Sequence, residues 1–424
     1  MSERKLRVEE PCLRRKGGMK NGKNKNVHIL IVGPLNFPRP GAPTSRVTAY
    51  AKGMIKAGAD VEILCVRPVG DTKIPSQGTA EGIGYAYSAG VTVYQKSKIR
   101  QFYYELKALI AAIRMIVEYH REKKVDAILF YAAHIYHEVI FSILARLLKI
   151  TVMRDICEYP FYYDRTHNLK LRIKGYLYER LVFRLFDGLI IMTRALEDYC
   201  RPFLRKDARY LMVPIMVDWA RFENVEPVKV EGRYIAYCGD PSGTKDGVDI
   251  LIEAFCKIAS RHTDVKLYII GDTANRRAPD LLKKLQKEID ERYGHGRIVL
   301  TGRVEYADVA KYLCGACALV LSRPRSVQAR YGFPTKLGEY LATGNPVVVT
   351  DVGEISDYVQ DGDNGFMTEP GDASAFASKL DYVLSNTEHA RQVGLKGQAL
   401  AREKFDYRCH GARLIEFVKQ FQKN

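Results

Sequence analysis

Gly332-Phe333-Pro334-Thr335-Lys336-Leu337-Gly338-Glu339-Tyr340-Leu341-Ala342-Thr343-Gly344-Asn345-Pro346-Val347-Val348-Val349 reads as a loop, a short helix starting near Thr335, a glycine stop at Gly344 and a buried strand. A helix N-terminus offers free backbone N–H groups and a positive dipole end to a diphosphate. Thr335 can cap that end or donate its hydroxyl, and Lys336 adds a full charge. Glu339 follows Lys336 by three residues and so shares its face, where one carboxylate can accept both hydroxyls of a ribose. Phosphate and ribose are neighbours in a nucleotide, so spacing and chemistry agree. An ordinary surface Lys–Glu pair satisfies the same spacing.

Outward from this stretch, strands are expected at Tyr234 to Cys238, Lys266 to Ile270, Arg297 to Leu300, Ala318 to Leu321, Pro346 to Thr350 and Gly365 to Thr368, with helices between them. The first half follows the same grammar: strand Val27 to Val32, a Gly/Pro-rich loop Gly33 to Pro43, a helix Thr44 to Ala57 and strand Val61 to Val66. Further strands are expected at Val91 to Tyr94, Ala127 to Tyr131, Thr151 to Arg154 and Gly188 to Met192, and a long helix over 168–186. Such alternation implies α/β architecture: two Rossmann-like, doubly wound parallel sheets facing across a cleft. The expected division is a basic disordered tail at 1–26, a first domain at 27–215, a second at 216–404, and a C-terminal helix at 405–424 packing back on the first domain.

The bulk properties bound the function. The chain has 424 residues, 47% of them hydrophobic, enough for two cores. Its most apolar run, Ile135 to Ile150, is broken by His137, Glu138, Arg146 and Lys149, so no membrane span is expected. The basic N-terminus lacks an apolar segment and does not read as a secretory signal, which points to the cytoplasm. Nine scattered cysteines do not form a disulfide framework, and the Cys314/Cys317 pair lies in an apolar run suited to packing. A formal net charge of +17 calls for an anionic partner. In the helix over 168–186, Lys170, Arg172, Lys174, Arg180 and Arg184 alternate with apolar residues. Either a solvated face or docking on an anionic membrane surface, peripheral to the cell membrane, accounts for this. No nucleic-acid-binding signature accompanies the charge.

The motif at 332–349 resembles the donor-site signature of the family-4 retaining glycosyltransferases, whose fold is GT-B. Cys238-Gly239-Asp240, Thr244-Lys245-Asp246-Gly247 running to Ala254-Phe255, Leu267 to Asp272, Thr301-Gly302-Arg303-Val304, Val217-Asp218 with Phe222, and Asp351-Val352-Gly353-Glu354 are similar to further family segments, in the same order. The resemblance implies that Lys245 and Lys336 neutralise the departing diphosphate and that Glu339 holds the ribose. Gly239, Arg303, Tyr331, Gly332, Phe333, Pro334, Thr335 and Leu337 complete the donor-site expectation. It implies a UDP- or GDP-sugar as substrate with no cofactor, retention of configuration, and a glycan or lipid-linked acceptor, in cell-surface polysaccharide synthesis. Asp361-Gly362-Asp363 reads as a hairpin tip, and no Asp-x-Asp stands at a strand end to ligate Mg²⁺ or Mn²⁺, so a metal-independent enzyme is expected.

Two positions depart from the family pattern. Tyr331 stands where the first Glu of its Glu-x7-Glu signature belongs, and Asp240 replaces the Arg after the strand-end glycine. Lys336, Arg325 and Arg330 are candidates to restore the charge. Phe333 to Leu337 match a Phe-Pro-x-Lys-Leu branch of the family. On the acceptor side, Gly41 and Arg46 lie in or after the first loop, and Arg46 is a candidate phosphate ligand. Near the reacting carbon the candidates are Glu158, placed first, then His134, His137 and Tyr131. A non-catalytic GT-B subunit and a sugar-nucleotide epimerase are the rival readings.

Overall fold

The computed structural model describes residues 26–422 apart from 69, 94–96, 133, 160–168, 242–244, 273–280 and 295. The tail expected at 1–26 thus lies almost wholly outside the described residues. Strands β1 (His28–Gly33), β2 (Asp60–Cys65), β3 (Gln77–Ala80), β4 (Ile83–Tyr87), β5 (Ala127–Phe130), β6 (Thr151–Ile156), β7 (Gly188–Ile191) and β8 (Arg209–Met212) form one sheet in the order β3-β4-β2-β1-β5-β6-β7-β8. Strands β9 (Arg233–Cys238), β10 (Val265–Ile270), β11 (Ile298–Gly302), β12 (Ala318–Leu321), β13 (Val347–Thr350) and β14 (Phe366–Thr368) form the second, ordered β11-β10-β9-β12-β13-β14. Among the described residues every pairing of named strands is parallel except that of β3 with β4. All four residues of β5, β12 and β13 are buried, as a parallel sheet covered on both faces requires.

The helices are α1 (Ala42–Lys56), α2 (Lys98–Lys123), α3 (Ile135–Leu147), α4 (Leu169–Leu177), α5 (Arg194–Cys200), α6 (Val248–Ile258), α7 (Leu281–Tyr293), α8 (Tyr306–Gly315), α9 (Val327–Tyr331), α10 (Thr335–Ala342), α11 (Ala373–Ser385), α12 (Thr387–Lys404) and α13 (Tyr407–Lys419). Helices α2 and α3 cover one face of the first sheet with Ala112, Ile116, Phe141 and Ala145, in a core continuous with that of the second sheet. The other face carries α1 and, returning from the chain's end, α13, through Val47, Tyr50, Leu414 and Val418. The two helices touch at glycines: a Cβ on Gly411 would collide with the backbone of Gly53. Val217 N donates to Phe405 O at 2.8 Å, tying the start of this return to the interdomain connection.

The structure corrects two elements of the expected pattern and adds an edge hairpin that the pattern lacked. Residues 91–93 form no strand, and Tyr94 lies outside the described residues. The edge is built instead by the β3–β4 hairpin, whose two-residue turn places both Glu81 (φ 53°) and Gly82 (φ 79°) in the left-handed region that such a turn demands. The helix expected over 168–186 is α4 followed by a π turn at Tyr178–Val182 and a 3-10 turn at Phe183–Leu185. No helix among the described residues is long and apolar enough to cross a membrane.

Candidate active site

Strand β9 ends against the first turn of α10, and this junction builds the donor side. Lys336 Nζ is ion-paired with the Asp246 carboxylate and donates to the Tyr237 hydroxyl at 2.9 Å. Tyr237 in turn donates to Asp246 Oδ2 at 2.8 Å, and the ammonium lies 4.6 Å from the centre of its ring. A Cβ on Gly239 would collide with both Lys336 Nζ and the Tyr237 hydroxyl, so any side chain here would have to push the lysine out of the cluster. Burial alone would raise the Asp246 carboxyl, but Lys336, Tyr237 and Arg323 together hold it below the usual carboxylate range. Arg323, just past β12, is a second cation here: 2% exposed, with Nε 3.5 Å from Asp246 Oδ1 and no hydrogen bond on that nitrogen among the described residues. Burial lowers its pKa, against the opposing pull of Asp246 and Glu158.

The cap of α10 is Pro334, whose ring has no hydrogen-bonding group, so Thr335 is the exposed first residue of the helix and not its cap. No side chain caps the helix start, and of the first-turn N–H groups Leu337 N already donates to Pro334 O at 3.0 Å. Glu339 stands one turn on, ion-paired with Arg221, whose guanidinium lies 4.0 Å from the centre of the Tyr306 ring. Tyr306 reaches the first domain through a 3.1 Å hydroxyl contact with Ser45. Four expected donor-site residues hold the helix in place. Phe333 is buried against Tyr358 and Phe405, Pro334 and Leu337 are buried, and Gly332 ends α9. Tyr340 anchors α10 to β9 by accepting from Cys238 N at 2.7 Å.

Across the cleft, Lys245 Nζ lies 3.2 Å from Glu158 Oε1, which follows β6. Beside this pair Tyr331 stacks on Tyr159, ring centres 4.6 Å apart, and its carbonyl accepts from the Thr193 hydroxyl at 2.7 Å. Lys336, Glu339, Gly239, Lys245, Glu158 and Tyr331 thus face one interdomain region. Arg303 is exposed in the loop after β11, two strands away from β9, and Gly41 is exposed ahead of α1. Arg325 pairs with Glu369 at the surface, and Arg330 lies over the Tyr331 ring, 5.5 Å from its centre. Thr244 lies outside the described residues.

Three expectations on the acceptor side are corrected or narrowed by the geometry. Arg46 is 5% exposed, forks onto both oxygens of Asp155 at 3.2 Å, and donates to the carbonyls of Pro214 (2.9 Å) and Val213 (3.2 Å). Its guanidinium is consumed in fastening α1 to β6 and the interdomain connection, and is not offered to a phosphate. His137 is 2% exposed among Tyr136 and Phe141, with its pKa pushed down to about 3 by burial and by His134 and Arg67, so it is a neutral core residue. Tyr131 is buried against Cys157, its hydroxyl 3.9 Å from the thiol. His134 remains exposed at the cap of α3, 3.0 Å from Arg67 Nη1, with its pKa lowered by partial burial and then by that arginine.

Asp246, Arg323 and Arg221 are the residues the sequence did not single out. The sequence signal for Asp246 and Arg221 was weak: an acid beside the Lys245 position and a basic residue next to Phe222. Among the described residues no group of three or more His, Cys, Asp or Glu is placed to hold a metal ion.

Two facing parallel sheets with this helix terminus at their junction define the GT-B glycosyltransferase class. Residues 41–215 match the family model of the glycosyl transferase 4-like domain, and residues 232–386 that of the glycosyl transferases group 1, so the chain is a GT-B glycosyltransferase. Among curated relatives, N-acetyl-alpha-D-glucosaminyl L-malate synthase of Bacillus anthracis is 27% identical over 158 residues, 37% of this chain and 38% of that protein. Phosphatidyl-myo-inositol mannosyltransferase of Mycolicibacterium smegmatis is 25% identical over 401 residues, 92% of each chain. Sucrose-phosphate synthase from Thermosynechococcus elongatus superposes with a TM-score of 0.72 at 16% identity, covering 94% of this chain and 99% of that one. Anabaena HepE in complex with UDP and glucose gives 0.67 at 14%, covering 93% and 100%.

Proposed function

We propose that this chain transfers a sugar from a UDP- or GDP-sugar to a glycan or lipid-linked acceptor, with retention and without a metal, at the cytoplasmic face of a membrane. The observation that carries the reading is the Lys336–Asp246–Tyr237 cluster at the start of α10, with Glu339 one turn on and a glycine at the strand end, Gly239, against which the lysine ammonium is packed. The uncapped helix terminus and Lys336 receive the diphosphate, Glu339 held by Arg221 takes the ribose, and Lys245 reaches the leaving group from the other side. Negative charge grows on the departing diphosphate in the transition state, so cations already fixed there lower the barrier. Arg323 supplies the charge that Asp240 does not. Glu158 faces the reacting carbon from the acceptor domain, and the leaving phosphate takes the acceptor's proton. Binding of UDP and glucose by Anabaena HepE, and the phosphatidyl-inositol acceptor named for the mycobacterial relative, support donor and acceptor classes of this kind.

Thermal melting with UDP, GDP, ADP and their sugar conjugates, with and without EDTA, tests the reading, because a ligand of the folded state raises Tm. A rise with UDP or GDP conjugates that survives EDTA is expected. No rise with any nucleotide would sink the donor-site assignment and favour a non-catalytic role.

A further inference from the structure

The outer faces of α2 and α4 break the rule that a surface helix turns its apolar stripe inward. Ile99, Phe102 and Leu106 on α2, and Ile173, Leu177 and Leu181 on α4 and its π turn, are between 47% and 82% exposed. These helices flank α3, and the three cover the same face of the first sheet.

Between α3 and the α4 segment run two adjoining depressions that share Ile135, Val139 and Lys174. One, of about 370 Å³, is walled by Leu177, Leu181 and Leu185; the other, of about 470 Å³, ends at His134 and Tyr136. No carboxylate lines either. Lys174 has no ion-pair partner among the described residues, so its charge stands at the rim of an aliphatic groove. The His134 end lies beside Arg67, 3.0 Å away and itself ion-paired with Glu105 at 3.7 Å, just beyond the carboxyl ends of β2 and β5, the same edge of the sheet from which Glu158 reaches Lys245. The π turn at Tyr178–Val182 widens the helix where it forms the groove wall, a distortion concentrated at functional sites.

From this juxtaposition we infer that the α3–α4 groove holds the hydrocarbon chain of a phosphate-bearing lipid acceptor, with Lys174 at its phosphate end and its glycosylated head turned into the cleft. This rests on the acceptor class proposed above and adds the place where the lipid binds. An aliphatic chain explains the wall, an anionic head explains the cation at the rim, and the groove's direction joins both to the reaction. The exposed residues Leu177 and Leu181 border the mouth and let the chain enter from a bilayer.

The test uses the full chain and a fluorescently labelled dodecyl phosphate below its micelle concentration, read by anisotropy. Saturable binding is expected, displaced by unlabelled dodecyl phosphate and not by inorganic phosphate. Leu181→Glu, at a half-exposed position, is expected to weaken it about tenfold by placing a charge in the wall, and Lys174→Gln about threefold. The Tm rise with UDP or GDP is expected to persist in both variants, which shows that they fold. Absence of saturable binding, or equal binding by Leu181→Glu, overturns the inference. So does sedimentation of both proteins with phosphatidylglycerol vesicles without any binding of the monomeric probe, which marks a flat membrane contact. A dimer that Leu181→Glu dissociates, with no lipid bound, assigns the groove to a second copy instead. Lipid binding without any nucleotide effect leaves the groove standing and defeats the glycosyl-transfer reading alone.

Discussion

The ammonium of Lys336 occupies the space a side chain at Gly239 would need, so the end of β9 and the first turn of α10 are fitted to each other through a single absent methyl group. Gly239→Ala is therefore expected to displace Lys336 from Asp246 and Tyr237 while leaving the buried strand intact. Steady-state kinetics with the donor identified by melting should show kcat at least about tenfold lower, since the charge acts where it develops in the transition state. An unchanged kcat would remove Lys336 from the chemistry.

On the proposed reading, Asp246, already ion-paired with Lys336, competes with the donor for the same cation. In Asp246→Asn the amide keeps a contact to Tyr237 but no longer neutralises Lys336, so nucleotide affinity should hold or rise. Arg323 loses its counter-charge and the cluster its alignment, and kcat should fall about tenfold or more. A loss of nucleotide affinity with unchanged kcat would contradict this division of roles.

Glu339 does not face the cleft unaided: Arg221 grips it, and Arg221 is itself laid on Tyr306. Glu339→Ala should raise donor KM and lower kcat. Arg221→Ala, which leaves the carboxylate present but unaimed, should raise donor KM by a smaller factor, about three to tenfold. Equal kinetics for wild type and both variants would place the ribose elsewhere.

The two-sheet architecture was legible because buried parallel strands announce themselves as short apolar runs, such as Ala127 to Phe130 and Val347 to Val349, between helical segments. The hairpin of β3 and β4 was not, because Gln77-Gly78-Thr79-Ala80 has neither the alternation nor the apolar content of a strand and is held only by its partner. Lys336 and Glu339 could be picked out by local spacing on one helix. Arg46 was misread for the converse reason: its partner Asp155 is 109 positions away, so its burial leaves no local trace. Asp246 and Arg323 meet Lys336 only once β9, β12 and α10 converge, and a long-range cluster has no sequence period.

Helices α1 and α13 cross where Gly53 faces Gly411, with no room for a Cβ on either. Gly411→Ala is expected to force the helices apart and lower stability by about 2 kcal/mol, the usual cost of overpacking a close contact. Urea unfolding should show the loss, while a surface change such as Lys419→Ala should cost less than about 0.5 kcal/mol. Equal midpoints for the two variants would mean that the crossing is loose.

Acid should destabilise the protein through buried neutral histidines before the carboxylates contribute. His410, 4% exposed on α13, donates from Nε2 to Lys404 O at 2.8 Å, and burial, with Arg413 and Arg46, pushes its pKa down to about 4. An unfolded histidine titrates near 6.5, so the unfolded chain binds the proton first. The stability associated with neutral His410 is complete above about pH 6.5 and is lost as pH falls toward 4, amounting to about 2 kcal/mol by pH 5. His137, depressed to about 3, acts in the same direction. Glu354, whose burial raises its pKa, acts in the opposite direction but only as it approaches its own titration at the acid end. Denaturant unfolding at pH 7.5, 6.5, 5.5 and 5 is therefore expected to show falling midpoints, and His410→Gln, which keeps a donor toward Lys404 O but cannot titrate, should flatten the slope. A slope identical in the variant would mean that His410 is protonated as readily in the folded chain as in the unfolded one.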